Sequence, residues 1–377
     1  EIYTLSLHDA LPISSWNAGM GKAVTFTGLT LTGADAGNYT LTTATLPGGG
    51  TIAPKALTME KVAGAHFTKV YDGNKNVTET LQKGVNYTLT GVIEGEDDTV
   101  VSIDTTSAHG AYQTKDVQEG DAMQDVDFTG LTLTGTGAGN YTLAPTMTIT
   151  GAGKITPREL TLTAVSGTHF DKIYDGNANV TQTLTKGTHY TLANFVTGEG
   201  AGITLAPVTG TYADKNAGAG KAVAFDGLTL TGTGATNYKL NVNRLLGTGT
   251  IDQREVTVAF TGAPMEKIYD GTTAAAGLKR DATYTLTGFV PGEGTGITLT
   301  GTGTYSNQNV GANTVHFTSL TLTGEGAGNY KPSHTTFTGA GAITHRDLTL
   351  TADRVSVTQG EPLPAFTGPA GDRKSVV

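Results

Sequence analysis

Cysteine is absent from all 377 residues, which excludes disulfides, thiolate nucleophiles and Cys-ligated zinc together. Tryptophan occurs once, at Trp16, so no Trp-based sugar platform can recur along the chain. Charged side chains make up only 15% of the residues and leave a net charge of -9. There is no basic cluster of the kind that a nucleic acid or an anionic membrane needs, and neither is expected as a partner. No apolar run approaches the ~18 residues of a transmembrane helix, so membrane insertion is not expected. Phosphate loops, H-E-x-x-H helices and a Ser-His-Asp arrangement are also missing. Catalytic residues, cofactors and metal are therefore expected to be none.

What fills the chain is glycine, 53 residues of it, with Thr, Val, Ile and Tyr between. This is a vocabulary of strands and turns. The two ends stand apart. With one choice of codons, His8 to Ile13 is written CAC GAC GCT CTT CCG ATC, and its reverse complement translates as Asp-Arg-Lys-Ser-Val-Val, the residues from Asp372 to Val377. Residues 1–13 and 372–377 accordingly read as translated sequencing-library adapter, enclosing a fragment of a longer protein.

Between them the sequence repeats. "FTGLTLTG" at 26–33 returns at 128–135, as "FDGLTLTG" at 225–232 and as "FTSLTLTG" at 317–324. Each is followed by an Asn-Tyr pair, with tyrosines at Tyr39, Tyr141, Tyr238 and Tyr330, and then by an exit such as "GKITPRELT" at 153–161. A Lys-[Val/Ile]-Tyr-Asp-Gly motif opens three copies, at Lys69, Lys172 and Lys267. The pattern divides the chain into the rear part of one repeat (14–55), copy one (56–158), copy two (159–254), copy three (255–346) and the start of another unit (347–371). A period of roughly 95 residues suits an independent domain rather than a solenoid coil. Short alternating runs with turns every 8–12 residues predict an all-β fold: a tandem array of small Ig-like β-sandwich domains. A change of alternation at Thr27-Gly28 predicts a bulge or tight bend there. The exits leave almost no linker, so the copies are expected to follow one another as a stiff, extended string.

The "K[VI]YDG" start, the "FTGLTLTGxxAGNYTL" middle and the "ITPRELTLTA" exit resemble the YDG-type repeats of filamentous-haemagglutinin-like bacterial surface adhesins, which are often exported by two-partner secretion. The tail "LTLTADRVSVTQGEPLPAFTG" is similar to the start of an MBG-type repeat. The resemblance implies a non-enzymatic, extracellular repeat region at the bacterial cell surface. It further implies an outer-membrane transporter for the parent protein, and a host-cell receptor, matrix receptor or other bacteria as the partner in adhesion. The alternative is that the repeats themselves bind host glycan or matrix protein.

The residues favour a structural role for the repeated motif. Tyr71-Asp72-Gly73, Tyr174-Asp175-Gly176 and Tyr269-Asp270-Gly271 read as turns, because Gly supplies positive φ and Asp bonds the backbone two residues on. A cation or catalytic site on the three aspartates is the lesser reading. Acidic turns at Glu96, Glu199 and Glu293 occupy matching places and read as solvated hairpin loops. Only the first adds Asp97 and Asp98, too few carboxylates for a general calcium site. His66 and His169 precede two of the YDG motifs but Pro264 stands in the third, which argues against metal ligation. Asn38, Asn76, Asn86, Asn140 and Asn179 carry N-x-T sequons and are candidates for glycosylation.

Overall fold

A computed structural model describes residues 4–6, 9–11, 15–43, 45–349 and 356–362. These are almost wholly β. The helical elements among the described residues are five single 3-10 turns, four of them on the Ala-x-Asn stretch before the repeated tyrosine: Ala36–Asn38, Ala138–Asn140, Ala235–Asn237 and Ala327–Asn329. The chain forms two compact units. Unit one holds residues 1–172, 178–214 and 220–250; unit two holds 173–177, 215–219 and 251–377. The second YDG motif thus belongs to the same unit as copy three.

Copy one, in unit one, shows the plan. His109–Tyr112, Gln124–Thr129 and Thr146–Thr156 form an antiparallel set. Phe67–Val70 then adds along the far end of Thr146–Thr156 in parallel, with Phe67 opposite Gly153 and Val70 opposite Thr156. A parallel neighbour requires a long crossover, and most of the repeat is that crossover. Smaller ladders complete the copy. Thr58–Lys61 pairs with Tyr87–Thr90, Ser102–Asp104 with Thr132–Thr134, and Lys55–Ala56 runs parallel to Tyr141–Thr142.

In unit two, copy three repeats the plan. Its sheet runs Thr298–Tyr305, Gly311–Thr323, Phe337–Thr344, Met265–Ile268, and the last strand is again parallel to its neighbour. The leading partial copy has only the rear half: Asp9–Leu11, Gly19–Thr27 and Leu46–Ile52 in one sheet, and Thr4–Ser6 paired with Thr30–Thr32. The adapter-like N-terminal segment therefore supplies two of these strands.

The bend expected at Gly28 is present. Gly28, Gly130 and Gly227 have φ of 68°, 72° and 69°, and Ser319 takes the same left-handed conformation at 56° in copy three. The alternation on either side then aims both runs inward. Phe67, Val126, Phe128 and Ile149 are essentially sealed from solvent in copy one. The same apolar cluster continues into copy two, taking in Ile203 and Tyr238 with Phe195 and Val196 against it. Of the proposed MBG-like start at 347–371, residues 350–355 and 363–371 lie outside the described residues.

Candidate functional site: the YDG junction

The YDG turn is set by the strand before it. Phe67 and Lys69 point inward while Thr68 and Val70 face solvent. Burying Lys69 removes an ammonium from water, so its three protons must find partners. Its Nζ donates to Asp72 Oδ1 and to the Asn74 carbonyl, both at 2.7 Å, and it lies 5.4 Å from the Tyr112 ring centre. Asp72 Oδ1 also accepts the Asn74 N–H, closing an Asx turn. Burial pushes the Asp72 carboxyl up, but these hydrogen bonds outweigh it and hold its pKa below the ordinary carboxylate value. Copy three repeats the arrangement: Lys267 donates to Asp270 at 2.8 Å, and the Thr272 N–H to Asp270 at 2.9 Å. Asp270 is held down to about 2, chiefly by the Lys267 hydrogen bond.

The tyrosine does something else. Tyr71 is 1% exposed, and its hydroxyl and ring meet residues of the next copy. Its hydroxyl donates to Glu199 Oε1 at 2.8 Å, and Tyr238 donates to Glu199 Oε2 at 2.6 Å. Lys115 reaches in from copy one, donating to the Tyr71 hydroxyl at 3.0 Å and to Glu199 at 3.3 Å. The Tyr71 and Tyr238 rings meet edge to face at 5.4 Å. Gly73 has φ of 82°, and a Cβ there would lie 2.8 Å from Val196 Cγ1, so glycine serves both the turn and the approach of the next copy. A second pin sits beside the first. Asn237 accepts the Val117 N–H at 2.8 Å and donates to Asp116 at 2.7 Å.

Unit two contains the same junction. Tyr174 donates to Glu293 at 2.9 Å, Tyr330 donates to its other oxygen at 2.6 Å, and Lys215 stands 3.5 Å away. The rings of Tyr174 and Tyr330 meet at 5.4 Å, and a Cβ on Gly176 would lie 2.9 Å from Val290. Asn329 accepts the Ala217 N–H at 2.8 Å. Desolvation, and then the hydrogen bond to Glu293, raise Tyr174 and Tyr330 to about 12. The Tyr330 hydrogen bond lowers Glu293 against a smaller effect of burial. At Glu199 burial is the largest single influence and raises the pKa, but bonds from Tyr238, Tyr71 and Lys115 together bring it below the ordinary value.

Tyr269, the tyrosine of the third YDG motif, is 38% exposed, and a Cβ on Gly271 would meet nothing within 4 Å. The same motif is thus buried where a following copy covers it and open where the described residues place none over it. A scan against protein families matches the YDG domain at residues 5–46, 53–149, 156–244 and 252–338. The chain belongs to the YDG domain family. A search of curated proteins found no match.

The YDG glutamates correct the sequence reading. Glu199 and Glu293 are not solvated loop tips; each is the shared acceptor of two tyrosines. Lys115, Lys215, Asn237 and Asn329 enter the junctions without having drawn notice as site residues in the sequence. Their signal was present as a Lys three residues after Tyr112 and Tyr212, and as the Asn of each Asn-Tyr pair. Among the sequons, Asn38, Asn76 and Asn179 are exposed and Asn140 is half-buried. Asn86 is 5% exposed, with its Oδ1 accepting the Gln82 N–H at 2.7 Å. Among the described residues no group of three or more His, Asp and Glu side chains gathers as a metal site, and no helix is long and apolar enough to cross a membrane.

Proposed function

We propose that these YDG copies are part of the stalk of a large secreted bacterial surface adhesin of the filamentous-haemagglutinin-like kind, followed at 347–371 by an MBG-type repeat. In this reading each copy is an Ig-like sandwich without enzymatic activity, the parent protein leaves the cell through an outer-membrane transporter, and a tip carried by the array contacts a host-cell or matrix receptor or other bacteria. One observation carries the reading. Two of the three YDG motifs are spent on holding the following copy, each with a buried tyrosine, a shared carboxylate and a lysine. A chain that must bear load in series needs such links between consecutive copies. Antibody raised against the chain should label intact producing cells, and labelling confined to permeabilised cells would reject the surface location.

A second reading, in which the repeats themselves bind host glycan or matrix protein, is favoured by one feature. An open cavity of about 530 Å³ borders Tyr71, Lys115 and Glu199, and one of about 460 Å³ borders Tyr174, Lys215 and Glu293. A glycan array probed with the chain tests it. Retained, saturable binding that is lost in Lys115→Ala with Lys215→Ala would favour this reading over the stalk.

A further inference from the structure

Both junctions bring two tyrosines onto one carboxylate. Tyr71 and Tyr238 donate to the two oxygens of Glu199 at 2.8 and 2.6 Å, and their rings meet at 5.4 Å with an interplanar angle of 78°. Tyr174 and Tyr330 share Glu293 at 2.9 and 2.6 Å, and their rings meet at 5.4 Å and 80°. Edge-to-face packing at this separation is direct ring contact. One carboxylate between the two hydroxyls also holds the phenol ends of the rings together, and the ring carbons ortho to the hydroxyls flank those ends. The four tyrosines are between 1% and 5% exposed. Each ring therefore has the other tyrosine beside it, with solvent and other molecules kept away.

Paired phenols on a shared base are arranged for one-electron oxidation. Removing an electron from a neutral phenol makes its O–H strongly acidic, so the electron leaves easily only where a base takes the proton with it. Glu199 and Glu293 stand within hydrogen-bond reach of both phenols, as such a base must. Their hydrogen bonds lower both carboxyls below the ordinary value, so both are ionised at neutral pH. Protons have a way out to water. An open cavity of about 460 Å³ borders Tyr174, Glu293 and Tyr330, and one of about 530 Å³ borders Tyr71 and Glu199. The chain also has no cysteine, so no thiol of its own can reduce a phenoxyl radical before that radical meets its neighbour.

We propose that Tyr71 with Tyr238, and Tyr174 with Tyr330, are dityrosine crosslinking sites, at which a peroxide activated by a haem or metal centre of another molecule joins consecutive copies covalently. Each tyrosine gives one electron to the oxidant and its phenolic proton to the shared carboxylate, which passes the first proton to water before taking the second. The two phenoxyl radicals couple through one new bond between ortho carbons, Cε to Cε. As the rings regain aromaticity those two carbons release their hydrogens as protons, and the two phenol oxygens are protonated again. The pair loses two electrons and two protons in all, and one peroxide takes up both to become two waters. The inference stands apart from the stalk reading, since it rests on the junction geometry and not on where the parent protein resides.

The test uses the full chain at high dilution and a small one-electron oxidant, photolysed ruthenium tris-bipyridyl with persulfate, which stands in for the activated peroxide. The dose is raised until the exposed Tyr269 is oxidised. Mass spectrometry of a protease digest should then show the peptide holding Tyr71 joined to that holding Tyr238, and the peptide holding Tyr174 joined to that holding Tyr330. Each joined pair should be two hydrogens lighter than the sum of its parts. Tyr174→Phe should abolish the second link and keep the first. Glu293→Gln should lower the yield of the second link at least about tenfold against the first link in the same molecules, as loss of a positioned base does. Oxidation of Tyr269 with neither pair joined would overturn the proposal. So would links to other tyrosines or between chains in equal yield, the same two links in equal yield from the chain unfolded in urea, or an unchanged yield in Glu293→Gln.

Discussion

Each letter of Tyr-Asp-Gly has its own physical duty. The aspartate pins the turn through Lys69 and the Asn74 N–H, the glycine permits positive φ and close approach, and the tyrosine reaches the next copy. Because Gly73 and Gly271 share the turn but not the neighbour, they separate the two roles of glycine. Gly271→Ala should cost only the left-handed penalty, about 1–2 kcal/mol. Gly73→Ala adds a clash with Val196 and should cost about 1–3 kcal/mol more. Urea melts of the two variants measure the difference, and equal costs would deny Gly73 its junction role. Ser319 offers the converse case. It holds φ of 56° where the other copies have glycine, so Ser319→Gly should raise stability, by about 0.5–1 kcal/mol once the greater freedom of unfolded glycine is subtracted.

At the level of elements, strand and turn positions were legible in the sequence because alternation and Gly punctuation are local signals. The bend at Gly28 and its equivalents could be read from the parity of Phe26 and Leu29 alone. The junction was not legible, because its partners lie far apart: Tyr71 and Glu199 are separated by 128 residues. The matching places of Glu96, Glu199 and Glu293 were visible, but a glutamate between glycines looks the same whether it faces water or a tyrosine. The parallel strand Phe67–Val70 escaped for a related reason, since pairing with Gly153–Thr156 leaves no mark on its own composition.

The junctions also fix a pH response. Glu199 and Glu293 have folded pKa values below the ordinary 4.5, so their contribution is complete above that value and is lost as pH falls through the lowered values. Tyr174, Tyr238 and Tyr330 are raised from 10.0 to about 12, so their contribution is complete below 10 and is lost as pH climbs toward 12. Thermal melts across pH should show a plateau between these limits with a decline on either side. A maximum at pH 3, or stability still rising above pH 11, would mean that these groups are not bonded as described.

Across the molecule, Tyr71 and Tyr174 couple one copy to the next, so these copies do not merely follow one another in sequence. An exposed carboxylate would contribute almost nothing to such coupling, whereas a hydrogen bond to a charged group with limited solvent access contributes about 1.5–3 kcal/mol. Glu199 is of the second kind, with a side chain 28% exposed and two tyrosines and a lysine upon it. The most direct measurement is a double-mutant cycle on a fragment of copies one and two, residues 55–252, using Tyr71→Phe, Glu199→Gln and the pair, each unfolded in urea. Contact across the junction should make the two changes non-additive, with a coupling energy of about 1 kcal/mol or more. Additivity within about 0.3–0.5 kcal/mol, the behaviour of independent sites, would contradict the claim that YDG links one copy to the next.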